Sequence, residues 1–164
     1  MRQLVSIAGV VPDRWVHLSE LGAGATATRL IVPWMDWLKS SGELRARAEH
    51  IGVAVAPETP FAALLPELPR LALLAIAFPG VGEGRGYSLG RQLRERGHFR
   101  GELRAYGEIF RDHVLFLARC GFDSFEISPR EDADAAFAGL KAFSVAYQVP
   151  RTEPAALGLH RRQL

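Results

Sequence analysis

A chain of 164 residues with 48% hydrophobic content buries one core and is too short for two ordinary domains, and no apolar run reaches the roughly 18 residues of a membrane span. Its single cysteine, Cys120, excludes an intrachain disulfide, a CxxC redox pair and an all-cysteine iron–sulfur or zinc site. Arginine-heavy, lysine-poor usage at a net charge of +2 reflects a GC-rich genome more economically than a polyanion surface, so no nucleic-acid partner is favoured.

An apolar segment from Leu4 to Val11, a Pro12-Asp13 turn and an alternating segment from Arg14 to Leu18 predict a small N-terminal hairpin, an edge flap over residues 4–18. Residues 21–28 are small and glycine-rich and predict a loop, and the apolar 30–33 a first strand. Trp34, Trp37, Leu38 and Leu44 follow helical spacing, and 51–56 predict a strand ending at Pro57. Phe61, Leu64, Leu65 and Leu68 suit a short helix between prolines. Residues 71–78 are apolar on both faces, as a central parallel strand should be.

The spacing then predicts a helix over 87–96 stopped at Gly97, and a strand over 102–106. An amphipathic helix follows over 108–120, with Phe110, Val114, Leu117 and Cys120 inward and Gly121 as its cap. Residues 122–128 predict the last clear strand. A final helix over 132–143 has Glu131, Asp132 and Asp134 near its N-terminus, where the helix dipole favours carboxylates. Residues 150–164 show little periodicity and predict a flexible tail, which leaves 1–149 as a single α/β domain. Without a span or a basic, apolar leader the expected location is cytoplasmic.

Strands alternating with helices imply a mostly parallel sheet joined by right-handed crossovers. A flavodoxin-like open sheet with helices on both faces is the first expectation. The alternative is a partial βα barrel of four or five units, whose open edges would call for a partner chain, so a homo-oligomer stays open.

In either architecture ligands approach the carboxyl ends of the parallel strands, where helix N-termini converge. Four loops collect on that rim: 57–60, 79–88, 106–112 and 128–131. The second alternates glycine at 80, 82, 84 and 86, with Arg85 among them, and eight arginines lie between Arg85 and Arg119. The candidate anion-binding set is Arg85, Gly86, Tyr87, Ser88, Glu108, Arg111, Asp112 and Arg130, whose guanidinium forks and nearby helix amides suit an oxyanion. Neither nucleotide fingerprint fits. The third glycine of G-x-G-x-x-G falls on Arg85, Tyr87 or Leu89 by register, and a Walker loop needs a lysine that is absent here.

The bland readings of these residues are a flexible strand-to-helix turn for the glycines and a solvated helix face for Arg111 and Asp112, paired with Glu108. His113 falls on the inward side of its helix as a hydrogen-bonded core histidine. His17, His50, His98 and His160 show no ligand spacing, so no metal site is supported. Cys120, on the apolar face of a last helical turn, is expected to be packed and inert, because burial and the negative end of the dipole both disfavour a thiolate.

Five blocks, Gly84-Arg-Gly-Tyr-Ser88, Gly101-Glu-Leu-Arg-Ala105, Arg111-Asp112, Arg119-Cys-Gly-Phe-Asp123 and Phe143-Ser-Val-Ala-Tyr-Gln148, resemble an uncharacterised bacterial family in their order and spacing. That family is described as a domain of unknown function or as an oxidoreductase of sulfite reduction, and is commonly encoded beside sulfite reductase and adenylyl-sulfate reductase. Its members usually show Asp-Gly-Arg-Gly and Gly-Asp-Val-Leu-Arg-Asp-Gln, where this chain has Glu83, Glu108-Ile-Phe and His113. Six-electron sulfite reduction requires a haem-type centre and an iron–sulfur cluster, which one cysteine cannot ligate.

The resemblance therefore implies an accessory protein of assimilatory sulfate and sulfite reduction. Such a protein would bind an anionic small molecule, a nucleotide, or sulfite reductase or adenylyl-sulfate reductase itself at the arginine-rich rim. The alternative is a small oxidoreductase in the same pathway with a non-covalently bound flavin or nicotinamide. Neither reading involves a metal or an iron–sulfur cluster in this chain, and no catalytic residue is assigned.

Overall fold

The computed structural model describes residues 3–20, 27–40, 50–80, 82 and 84–141. The expected tail at 150–164, most of the 21–28 loop, Leu44, Glu83 and the 143–148 block lie outside the described residues.

Strand β1 (Gln3–Ser6) and β2 (Gly9–Val11) form the hairpin, with Leu4 opposite Val11 and Ser6 opposite Gly9. Its turn is Ile7-Ala8 rather than Pro12-Asp13. The Ser6 hydroxyl donates to the Gly9 carbonyl at 3.1 Å, closing that tight turn. Asp13 instead caps a local bend by accepting the Trp15 N–H at 3.0 Å. The chain then leaves the hairpin, and β3 (Val16–His17) pairs in parallel with β4 (Leu30–Pro33) at the far edge of the sheet. The expected flap over 4–18 is thus two pieces at opposite edges.

From β4 the alternation runs through α1 (Trp34–Lys39), β5 (Ile51–Val55), α2 (Phe61–Leu64), β6 (Leu73–Phe78) and α3 (Gly84–Glu95). It continues through β7 (Glu102–Ile109), α4 (Arg111–Arg119), β8 (Ser124–Ile127) and α5 (Ala133–Lys141). One eight-stranded sheet results, in the order β2-β1-β8-β7-β6-β5-β4-β3. Strands β3 to β8 are parallel in sequence order, and β1 joins antiparallel to β8.

That monotonic order contains no reversal, so it departs from the expected flavodoxin-like sheet and follows the barrel alternative. Repeated crossovers of one hand in one direction bring every connecting helix to the same face. The burial pattern agrees. Val53, Val55, Leu74, Ile76, Leu103, Phe125 and Ile127 point from alternate strand positions into one core with Trp37, Leu64, Leu93, Leu117 and Leu140 of the helices and the turns beside them. The other face is concave, and carries Ile31, Leu73 and Ala75 under Trp15. The sheet curls so far that His17 on β3 reaches Glu126 on β8, with Nε2 and Oε1 2.9 Å apart. The molecule is a curled half-barrel.

Two element boundaries move. Helix α3 begins at Gly84, not at Tyr87, so Gly84 and Gly86 belong to its first turn. Gly86 sits there because Phe78 does: a Cβ would stand 2.7 Å from that ring, and at Gly90, one turn on, 2.4 Å from the ring of Phe122. The glycines draw the helix onto the sheet. Strand β7 runs on to Ile109, which is fully buried and pairs with Ile127, so α4 starts at Arg111. Glu108 is therefore a strand residue and not the helical partner of Arg111 and Asp112.

Candidate functional site

The carboxyl ends of β5 and β6 open into a groove of about 810 Å³ between the 57–60 loop and the outer side of α3. Glu58 and Thr59 line one wall, and Arg85, Ser88 and Gln92, on successive turns of α3, line the other. The two loops expected to share a rim therefore do so. Phe61 and the buried Leu89 give the groove an apolar patch.

The remaining members of the predicted set stand elsewhere. Gly86 is buried under Phe78. Tyr87 is half-buried and turned between helices, with its ring edge-on to Phe78 at 5.2 Å and against Phe116 at 5.1 Å. Burial pushes its hydroxyl pKa up, so it stays a neutral phenol. Glu108 is exposed near the end of β7. Arg111 and Asp112 are exposed in the first turn of α4 and face each other at 3.6 Å, while the Arg111 N–H meets Glu131 at 3.4 Å. Arg130 is exposed in the adjoining 128–131 loop, where its N–H donates to the Ser128 hydroxyl at 3.5 Å.

His113, in the first turn of α4, reaches back to the N-cap residue Phe110, whose backbone N–H donates to its Nδ1 at 3.4 Å. Cys120 is buried, and that burial, only partly offset by Arg91, raises its thiol pKa. Among the described residues no group of three or more His, Cys, Asp and Glu could hold a metal ion, and no helix is long and apolar enough to cross a membrane.

Two arginines of the basic stretch leave the rim altogether. Arg94, near the end of α3, donates to the carbonyls of Gly121 (2.8 Å), Phe99 (2.6 Å) and Gly101 (2.9 Å) and pairs with Asp123, which also accepts the Leu103 N–H. It ties the helix to the amino ends of β7 and β8. Arg104 lies on the concave face and is 1% exposed. Its guanidinium meets Asp13 at 2.8 Å, Glu102 at 2.9 Å and Glu126 at 3.3 Å. Ser124 adds a 2.6 Å hydrogen bond to Glu102, and the His17 ring lies 5.0 Å from that of Tyr106.

The spacing of the histidines gave no hint of this network, but the strands did. Arg104 and Glu126 each interrupt an apolar strand at the position facing away from Leu103, Ala105, Phe125 and Ile127, so a charged concave face was legible at period two. Burial alone would raise the Glu126 pKa; the hydrogen bond and charge of His17 and the Arg104 guanidinium outweigh it and hold the carboxyl below its ordinary range. For Arg104 burial works against the charged form, and Glu102 and Asp13 reverse it, so the guanidinium is held more firmly protonated.

A search of curated proteins finds none that matches this chain. A family model does match, over residues 52–157, from the start of β5 through both rim loops and the Arg104 and Glu126 strands, but not His17 or the hairpin. The chain belongs to the family described as bacterial protein of unknown function, DUF934.

Proposed function

We propose that this protein is an accessory protein of assimilatory sulfate and sulfite reduction that binds an anionic sulfur metabolite in the rim groove. The groove itself carries the reading. Arg85 and Ser88 line it from α3, whose first amides carry partial positive charge, and Thr59 offers a hydroxyl across the gap. Its apolar patch of Phe61 and Leu89 suits a ligand with an organic body, such as adenylyl sulfate, better than a bare oxyanion. The pathway comes from the family resemblance of the 84–88, 101–105 and 119–123 blocks.

Calorimetry with sulfite, sulfate and adenylyl sulfate tests the site. Adenylyl sulfate should bind most tightly, and Arg85→Ala should weaken it by about tenfold, the scale of one lost charge-assisted hydrogen bond. Affinity equal in wild type and Arg85→Ala would sink the groove. Growth of a deletion strain on cysteine but not on sulfate tests the pathway separately. A purified protein with visible absorbance would move the reading to a small flavin oxidoreductase.

A further inference from the structure

At the opposite end of the strands, where β7 and β8 begin, a cavity of about 450 Å³ opens beneath the hairpin. It is separate from the rim groove. Its floor is the buried network: Glu102 and Ser124, hydrogen-bonded at 2.6 Å, stand beside Arg104. Leu4, Val11 and Trp15 form an apolar wall, and Arg14, Arg29 and Asp123 also line the cavity.

The charges there are unequally matched. Arg104 has its three carboxylates, and Asp123 has Arg94. Arg14 and Arg29 have no carboxylate partner among the described residues. Arg29 is nonetheless positioned, with its guanidinium over the Trp15 ring at 5.5 Å. Trp15 is 8% exposed, its backbone N–H is held by Asp13, and Asp13 is held in turn by Arg104. An arginine stacked on a ring that is itself held in place loses less conformational freedom on gripping a ligand than a free one. Parallel sheets offer helix amides to ligands only at their carboxyl rim, so a site at the amino end must supply its own donors, and two guanidinium forks do so.

We propose that this cavity binds a small organic monoanion, a carboxylate on a compact apolar body, with Arg14 and Arg29 on the carboxylate and Trp15 and Leu4 against the body. A single negative charge fits better than a double one, because Glu102 and Asp123 line the same cavity and repel each added charge.

Benzoate is the probe, read by the indole N–H signal of Trp15 in NMR spectra, with Trp15→Phe assigning that signal among the three tryptophans. Benzoate should shift it in a saturable way and bind at least about tenfold more tightly than benzyl alcohol or phenyl phosphate. Arg14→Gln and Arg29→Gln should each weaken binding by about tenfold, and the double variant should abolish it. Arg14 is exposed and Arg29 half-exposed, so these changes leave the fold intact, as an unchanged thermal melt would verify. The rim variant Arg85→Ala should leave benzoate binding as it was, so this site and the rim groove stand or fall separately. No shift of the Trp15 signal by benzoate, or a shift that survives in the folded double variant, overturns the proposal.

Discussion

The rim groove and the concave network hold their charges in opposite ways. At the rim, Arg85, Ser88 and Glu58 come from loops and a helix turn and are exposed. Inside the curl, Arg104 and Glu126 come from neighbouring strands and are 1% and 3% exposed, and each is held ionised by the partners around it, Arg104 by Glu102 and Asp13, and Glu126 by His17 and Arg104. Exposed charges cost little, because water solvates them. Buried charges are already spoken for by one another, and they close the half-barrel from β3 to β8.

The largest test of that contrast is Arg104→Ala. It strands Asp13, Glu102 and Glu126 together without a guanidinium, and removing one partner of a buried ionic cluster costs about 3–5 kcal/mol. Urea unfolding should show a loss of that size, whereas Arg85→Ala should fall within about 0.5 kcal/mol of wild type, as exposed substitutions do. Equal losses from the two would erase the distinction between rim and interior.

Gly90→Ala probes the same contrast from the helical face. A methyl there would stand 2.4 Å from the ring of Phe122, which is itself 1% exposed and cannot swing into solvent. Forcing it in should cost about 1–3 kcal/mol, as overpacking of a tight core does. Gly82→Ala, at a rim glycine with open space around it, should be far milder. A neutral Gly90→Ala in the same unfolding experiment would mean that α3 does not ride as close to the sheet as the rim geometry requires.

The glycines also show what the sequence conveys and what it withholds. Periodicity located β4 at residues 30–33 and a βα alternation from there to α5, because apolar spacing follows directly from which face is buried. The shared rim of the 57–60 and 79–88 loops followed from chain order alone. What periodicity cannot carry is contact across the sheet. Gly86 reads as loop until Phe78 is placed beneath it, and Glu108 reads as the start of a helix until Ile109 is seen to fill a strand position opposite Ile127. The His17 to Glu126 contact spans 109 residues and exists only once six strands have curled. An open sheet with helices on both faces would have produced the same linear pattern, so strand order was the missing quantity.

The subtlest test probes the buried region by pH. Because folding holds the Glu126 pKa below its unfolded value, folding favours its ionised form. The stability it contributes is present above the unfolded pKa, about 4.3, and is lost as pH falls through the lower folded value. Glu126→Gln keeps an oxygen for His17 and Arg104 but cannot titrate. Urea titrations at stepwise lower pH should therefore show wild type losing stability more steeply than Glu126→Gln in the acid range, with the two curves parallel above it. Parallel wild-type and Glu126→Gln curves throughout would mean that His17 and Arg104 do not favour the ionised form of Glu126 in the folded chain.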